Sequence, residues 1–176
     1  MLRDLQSCAS IAKQMFEEEA RHIGGMHSFE VVQATTMDAI KSVSGAADIV
    51  VLVEPKTLAD RAIEPFSETI AAATRTPASV LVVPNSIVRQ QGPVLVIGET
   101  NQDPSMARAE LIAKAIDERL EFMPIIDQTL ATSQRPSNWP GERMVVMTRG
   151  VGKRLMPLTI ASRRKVPVLI LGDQQG

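Results

Sequence analysis

Aromatic residues are scarce in this chain of 176 residues, which has four Phe, one Trp and no Tyr. Few rings are therefore present that could stack on unpaired bases, and this argues against a protein that binds single-stranded nucleic acid. The formal net charge of −1 provides no overall field that would attract nucleic acid or an anionic membrane. We therefore expect no nucleic-acid partner.

The chain has a single cysteine, Cys8, so it cannot form an intramolecular disulfide, which suits a reducing compartment. Cys8 shares a helical face with Leu5, Ala12 and Met15, and we expect its thiol to pack rather than to react. Long apolar runs are also missing: none approaches the roughly 18 to 20 residues of a membrane span, and the N-terminal stretch lacks the apolar core of a signal peptide. These features predict a cytoplasmic protein.

What the chain does contain is a repeated unit of an apolar strand, a helix and a second apolar strand. Apolar residues make up 44% of the chain and charged residues 22%, which is ordinary for a globular protein. The strands are continuous apolar runs, as expected for parallel strands that helices cover on both faces. The sequence therefore predicts an α/β fold, with a mainly parallel sheet between helices in a Rossmann-like three-layer sandwich. The copies occupy residues 48–55, 61–76 and 79–85, and then 143–150, 153–165 and 166–172.

Further elements precede each copy. Hydrophobic periodicity predicts an amphipathic helix over residues 2–23, closed by Gly24 and Gly25. A strand over 29–33 and a helix over 36–47 follow. The second half opens with a strand over 93–98, a helix that Asp103 caps and that runs to about residue 120, and a strand over 122–126. Residues 132–142 contain two prolines and are predicted to form a loop.

The polar segment 86–92 separates two halves, which we place at residues 1–88 and 89–176. The copies align at Thr69-Ile70-Ala71 and Thr159-Ile160-Ala161. This similarity favours a duplication, with two related half-sheets packed as a pseudo-dimer. A chance match is the alternative, because apolar runs of this kind are common in α/β proteins.

Three kinds of segment resemble the universal stress protein family. The helix end that leads into a final strand is similar to the family's closing element in both copies, ATRTPASVLVVPN (73–85) and SRRKVPVLILGD (162–173). PVLVIGETNQDPSMARAELIAKAI (93–116) resembles the opening strand, acidic turn and first helix, and DAIKSVSGAADIVVLV (38–53) the third helix and fourth strand. Compared with the family's order of elements, the first half begins at the equivalent of the second helix. The second half passes directly from the equivalent of the second strand to that of the fourth.

The resemblance also implies where ATP would bind. Family members carry a Gly-x2-Gly-x9-Gly-(Ser/Thr) loop after the fourth strand, whose backbone N–H groups approach phosphate, and an acidic residue at the end of the opening strand. In this chain the corresponding residues are Thr148, Gly150, Gly152 and Lys153 in the loop, with Glu99 as the acidic residue. The glycine spacing is shorter than in the family, and Arg154 and Leu155 stand where Gly and Ser are expected. As an alternative, the two glycines only form a turn and Lys153 is a solvated charge.

Other motifs point to no chemistry. Gly152-Lys153 is not a P-loop, because Arg154 replaces the metal-binding hydroxyl residue. His22 and His27 lie on either side of Gly24 and Gly25, so we expect no metal site. No GxSxG nucleophile motif is present. The basic run of residues 163–165 is expected to complement a helix dipole, or alternatively to bind a partner or an anion.

We therefore expect a non-catalytic regulatory or protein-interaction module without a cofactor, which resembles a tandem universal stress protein and could form the cytosolic domain of a membrane transporter. The alternative is an ATP-binding protein that uses the Gly150 loop. Self-association through an exposed edge of the strand at residues 168–171 could accompany either function.

Overall fold

A computed structural model of the chain describes residues 2–56, 66–125, 141–151 and 157–172. The chain divides into two compact units, Met1–Thr35 and Thr36–Gly176. Most of the predicted loop, residues 132–140, lies outside the described residues, as do the predicted site residues Gly152 and Lys153.

The first unit consists of helix α1 (Leu2–Ile23) and an irregular segment. The predicted helix is confirmed, and Gly24 and Gly25 follow it with φ angles of +60° and +103°, which only glycine adopts easily. The prediction that Cys8 packs was wrong, because its side chain is exposed. The predicted strand at 29–33 is also wrong: no described strand pairs with this segment, which is held instead by a contact between Phe16 and Phe29 with ring centroids 5.7 Å apart.

In the second unit the described strands and helices follow the order that the apolar pattern predicted. The helix predicted over 36–47 and the one predicted to run to about residue 120 both end earlier than expected, each for a local reason. The first ends before a turn in which Gly45 N donates to an Asp48 carboxylate oxygen at 2.7 Å. The other ends before Asp117, whose φ of 54° breaks the helix. The elements are α2 (Thr36–Val43), β1 (Ile49–Val53), α3 (Phe66–Ala73), β2 (Ser79–Val83), β3 (Val94–Gly98), α4 (Ser105–Ala115), β4 (Leu120–Pro124), β5 (Met144–Thr148), α5 (Pro157–Arg164) and β6 (Val168–Leu171).

The six strands form one sheet in the order β1-β2-β6-β5-β3-β4. Every neighbouring pair is parallel except β2 and β6, which are antiparallel. The expected α/β class, a mainly parallel sheet flanked by helices, is therefore confirmed. The expected free edge of the last strand was wrong, because β6 lies between β2 and β5.

The strand registers follow a local two-fold relation about the β2–β6 pair. Leu81 lies opposite Leu169, and when Val80–Val83 is aligned with Val168–Leu171 these two leucines are equivalent. The neighbouring pairs obey the same alignment: Val51 pairs with Leu81 as Val146 pairs with Leu169. The strand pairs β1–β2 and β5–β6 thus have matching registers on the two sides of one antiparallel junction.

The two faces of this sheet are covered unequally. On one face, α3 and α5 pack Ile70, Ala73, Ile160 and Ala161 against the sheet residues of a large buried cluster. On the other face, α4 packs Ala109 and Ala113 over β3 and β5. On this second face the β1 side chains Ile49, Val51 and Val53 are exposed, and we call this row of three residues the open face. The expectation that helices cover this strand on both sides is therefore wrong for the described residues.

No helix among the described residues combines the length and the hydropathy that a membrane crossing requires.

Candidate functional site

A cavity of about 470 Å³ lies where β5 and β6 end, beside the start of α4. In parallel sheets the carboxyl ends of the strands are the usual place for ligands, because the connecting loops diverge there. Two predicted site residues come together at this cavity, the half-buried Thr148 and the exposed Gly150. Arg108 and Arg149 line the cavity as well, so two arginines border a space that the sequence associated with phosphate.

Glu99, the third predicted site residue within the described part of the chain, is exposed after β3 and does not line this cavity. The carboxylate that the fold positions at this strand end is that of Asp103. One of its oxygens would lie 2.7 Å from a Cβ added at Gly98, so only glycine leaves room for it. The other accepts a hydrogen bond of 2.9 Å from the backbone N of Ser105. The prediction that Asp103 caps the following helix is confirmed, and this capping bond occupies one carboxylate oxygen.

A second cavity, of about 900 Å³, adjoins the first and shares Arg108 and Arg149 with it. It lies between α4, the ends of β5 and β6, and the segments that enter β1 and β2. Arg75 provides a third guanidinium group, and Asp48 is the one carboxylate in the described lining. We call this cavity the arginine groove. Its walls are apolar as well, with Ile49, Leu111, Ile112, Leu169 and Leu171.

The Arg149 side chain makes a hydrogen bond within the fold beside this groove. Its guanidinium group donates to the carbonyl oxygen of Ala78, the residue just before β2. This bond crosses the antiparallel junction, since the start of β2 lies beside the end of β6. Sequence reasoning missed the groove because its arginines stand far apart along the chain, and the junction between β2 and β6 is needed to bring Arg75 to Arg108 and Arg149.

The open face continues from the arginine groove along β1. Ile49 belongs to both, and the exposed fractions of Ile49, Val51 and Val53 are 58%, 55% and 61%. The equivalent residue of Val51 on the other side of the junction, Val146, is 0% exposed because α4 covers it. Strand β5 is therefore covered on this face, whereas its equivalent β1 is exposed.

At the opposite end of β5 and β6, a buried ion pair explains part of the basic run 163–165. Glu142 is fully buried, and its two oxygens accept hydrogen bonds of 2.6 Å each from Arg164 Nε and Nη2. Lys165 Nζ donates to Asn85 at 3.3 Å, and Arg163 alone of the three is exposed. Two of the three cations are thus engaged inside the protein, and the run does not form one binding surface.

A second buried carboxylate, that of Glu54, lies just beyond β1. One of its oxygens accepts a hydrogen bond of 2.7 Å from Ser162 Oγ, and the other accepts one of 3.3 Å from the backbone N of Asn85. These bonds tie the end of β1 to α5 and to the segment after β2. The sequence offered no signal for this role, since Glu54 stands in an ordinary strand-ending Glu-Pro pair.

Among the described residues no three His, Cys, Asp or Glu side chains form a group that could hold a metal ion. Comparisons with protein-family models, curated proteins and solved structures gave no match for this chain. The functional hypotheses therefore depend on the geometry of the groove and the open face.

Proposed function

We propose that this protein is a non-catalytic regulatory module that binds another protein through the open face. The observation that carries this proposal is the exposure of Ile49, Val51 and Val53 in a row on one strand. Contiguous exposed apolar surface on a folded domain is a mark of interaction sites. Among the described strands β1 is also terminal in the sheet, so its outer edge offers backbone groups to a partner.

A photo-reactive amino acid placed at position 51 in living cells tests this function. We expect one discrete cross-linked adduct from position 51 and none from position 87, since Ile87 is similarly exposed at 50% but lies outside the open face. Equal cross-linking from both positions would contradict the proposal, because it would mark both as ordinary surface.

ATP binding at the Gly150 loop is a second candidate, favoured by the cavity that places Thr148 and Gly150 beside Arg108 and Arg149. Cationic side chains and an open glycine backbone suit a phosphate group, and a Cβ at Gly150 would have no heavy atom within 4 Å. Glu99 would have to reach a ribose hydroxyl from outside this lining.

Calorimetric titration with ATP and magnesium separates the two candidates. ATP binding that Arg108→Gln and Gly150→Val abolish, and that Gly141→Val preserves, would favour the nucleotide-binding protein. The control is matched, because a Cβ at Gly141 meets only the Arg89 side chain, at 3.9 Å. No heat at millimolar ATP would favour the interaction module.

The proposal extends to ancestry and context. We infer that residues 1–88 and 89–176 are degenerate universal-stress-protein-like halves, and that they serve as the cytosolic domain of a membrane transporter. The matching registers of β1–β2 and β5–β6 support the duplication. A natural gene that encodes no transmembrane segments beside this region would count against the transporter.

A further inference from the structure

We propose that the open face and the arginine groove together receive an acidic amphipathic helix of a partner protein. This inference rests on the proposed interaction function and adds the chemical nature of the partner. Three features support it: the shape of the covered half, the charge of the groove, and the self-repulsion that a second copy would meet.

The covered half of the sheet indicates that the occupant is a helix. Val146 on β5 is equivalent to Val51 on β1, and it is buried under Ala109 and Ala113 of α4. Among the described helices of the second unit, none takes the corresponding place over β1. Five strand residues span about 13 to 16 Å, and a helix of about 11 residues, the length of α4, spans about 16 Å. A three-turn helix with small and aliphatic residues on one side would therefore cover the open face.

The groove indicates that this helix is acidic. Arg75 and Arg108 are exposed and Arg149 is half-buried, whereas the described lining holds one carboxylate, that of Asp48. The Asp48 carboxylate already accepts a hydrogen bond from Gly45 N. A helix that enters the groove from the open face would thus meet an excess of positive charge. Glutamate or aspartate on its flank would form charge-assisted hydrogen bonds with the guanidinium groups.

A second copy of this chain fits the same surface poorly. A two-fold dimer presses a patch against the identical patch, so the arginines of both copies would add to each other's positive field. Like charges placed together at an interface disfavour association. The apolar residues of the open face alone would suit a dimer, but the groove beside them does not.

Labelled peptides of about 18 residues test the inference, since isolated helices shorter than about 15 residues are marginal in water. One peptide carries Leu and Ala on one side and Glu on its flanks, and the other has every Glu replaced by Lys. In fluorescence anisotropy with the full chain, we expect saturable binding of the Glu peptide and at least about tenfold weaker binding of the Lys peptide.

Charge reversal in the protein provides the decisive comparison. We expect R75E together with R108E to invert the preference, so that the Lys peptide binds more tightly than the Glu peptide. R163E makes the same kind of charge change on an exposed residue outside the groove and should leave the preference unchanged. The neutral pair R75Q and R108Q, checked for folding by circular dichroism, should abolish the preference without inverting it.

The apolar part is tested with V51T and V53T, which keep the β-branched shape. We expect both peptides to bind several-fold more weakly, whereas V88T, at an exposed site elsewhere, should change nothing. Equal binding of the two peptides, no binding of either, or an unchanged preference in the reversed variant would overturn the acidic helix. So would a cross-linked adduct at position 51 with twice the mass of the chain, because this identifies a second copy.

The outcomes also separate this inference from the proposed function. A discrete adduct at position 51 that R75E and R108E do not affect would preserve the interaction module and reject the acidic helix. Adducts in equal amount from positions 51 and 87 would reject both.

Discussion

Arg164 forms a two-pronged ion pair with Glu142, in which both carboxylate oxygens accept hydrogen bonds of 2.6 Å from one guanidinium group. The Glu142 side chain is 0% exposed and that of Arg164 is 13% exposed. Arg89 supports the pair, since its Nη1 donates to the Arg164 carbonyl oxygen at 3.3 Å. The pair therefore fastens the end of α5 to the segment that enters β5, at the end of these strands opposite the arginine groove.

Loss of Arg164 should strongly destabilise the protein. Arg164→Ala leaves the Glu142 carboxylate buried without its two strongest donors, so we expect the free energy of unfolding to fall by about 3 to 5 kcal/mol. Urea denaturation followed by circular dichroism measures this change. Arg163→Ala, one residue away and exposed, should have no measurable effect. Similar losses in the two variants would contradict the role of the buried pair.

Loss of the hydrogen bond between Ser162 and Glu54 should destabilise the protein less than loss of Arg164. Ser162→Ala removes the hydroxyl that donates to Glu54 at 2.7 Å, and a lost hydrogen bond to a charged group costs about 1.5 to 3 kcal/mol. The same denaturation experiment with Ser67→Ala is the control, because Ser67 is exposed on α3. If Ser162→Ala were as stable as the Ser67 variant, the bond would not stabilise the fold.

Two glycines at neighbouring strand ends should respond differently to alanine. A Cβ at Gly172 would overlap the Pro77 carbonyl oxygen, and Ala78 backbone atoms lie within 3.0 to 3.2 Å. Since backbone cannot yield as a side chain does, we expect Gly172→Ala to cost about 1 to 3 kcal/mol. Gly150→Ala meets nothing within 4 Å and should not destabilise the protein. Thermal melting of both variants checks the difference, and equal melting temperatures would argue against the close approach at Gly172.

The exposure of Cys8 predicts its reactivity. We expect one thiol per chain to react with Ellman's reagent without denaturant, because Cys8 is exposed and is the one cysteine of the sequence. The Cys8→Ser variant provides the blank. A thiol that reacts only after urea is added would show that Cys8 is packed, as its position on the helix suggested.

Much of the fold was readable from local pattern. The apolar runs placed β1, β2, β5 and β6 correctly, because a continuous run of branched residues bounded by polar ones favours a buried strand. The predicted strand at 29–33 failed because its apolar residues have no described strand to pair with. Of the predicted ligand site, Thr148 and Gly150 share a cavity and Glu99 does not line it. A position at the end of a strand predicts which edge of the sheet a residue reaches, but not which cavity it lines.

From residue 36 onward the sequence by itself determined the order and the type of the described elements, because hydrophobic periodicity, caps and turn residues act over a few residues. Only the tertiary structure decided that β2 and β6 meet antiparallel, since VLVV and VLIL fit either direction equally well. That junction places Arg75, Arg108 and Arg149 around one groove. The tertiary structure also decided that Val51 is exposed and that Val146 is buried. Burial depends on whether another element packs over a strand, and the residues of the strand cannot specify that.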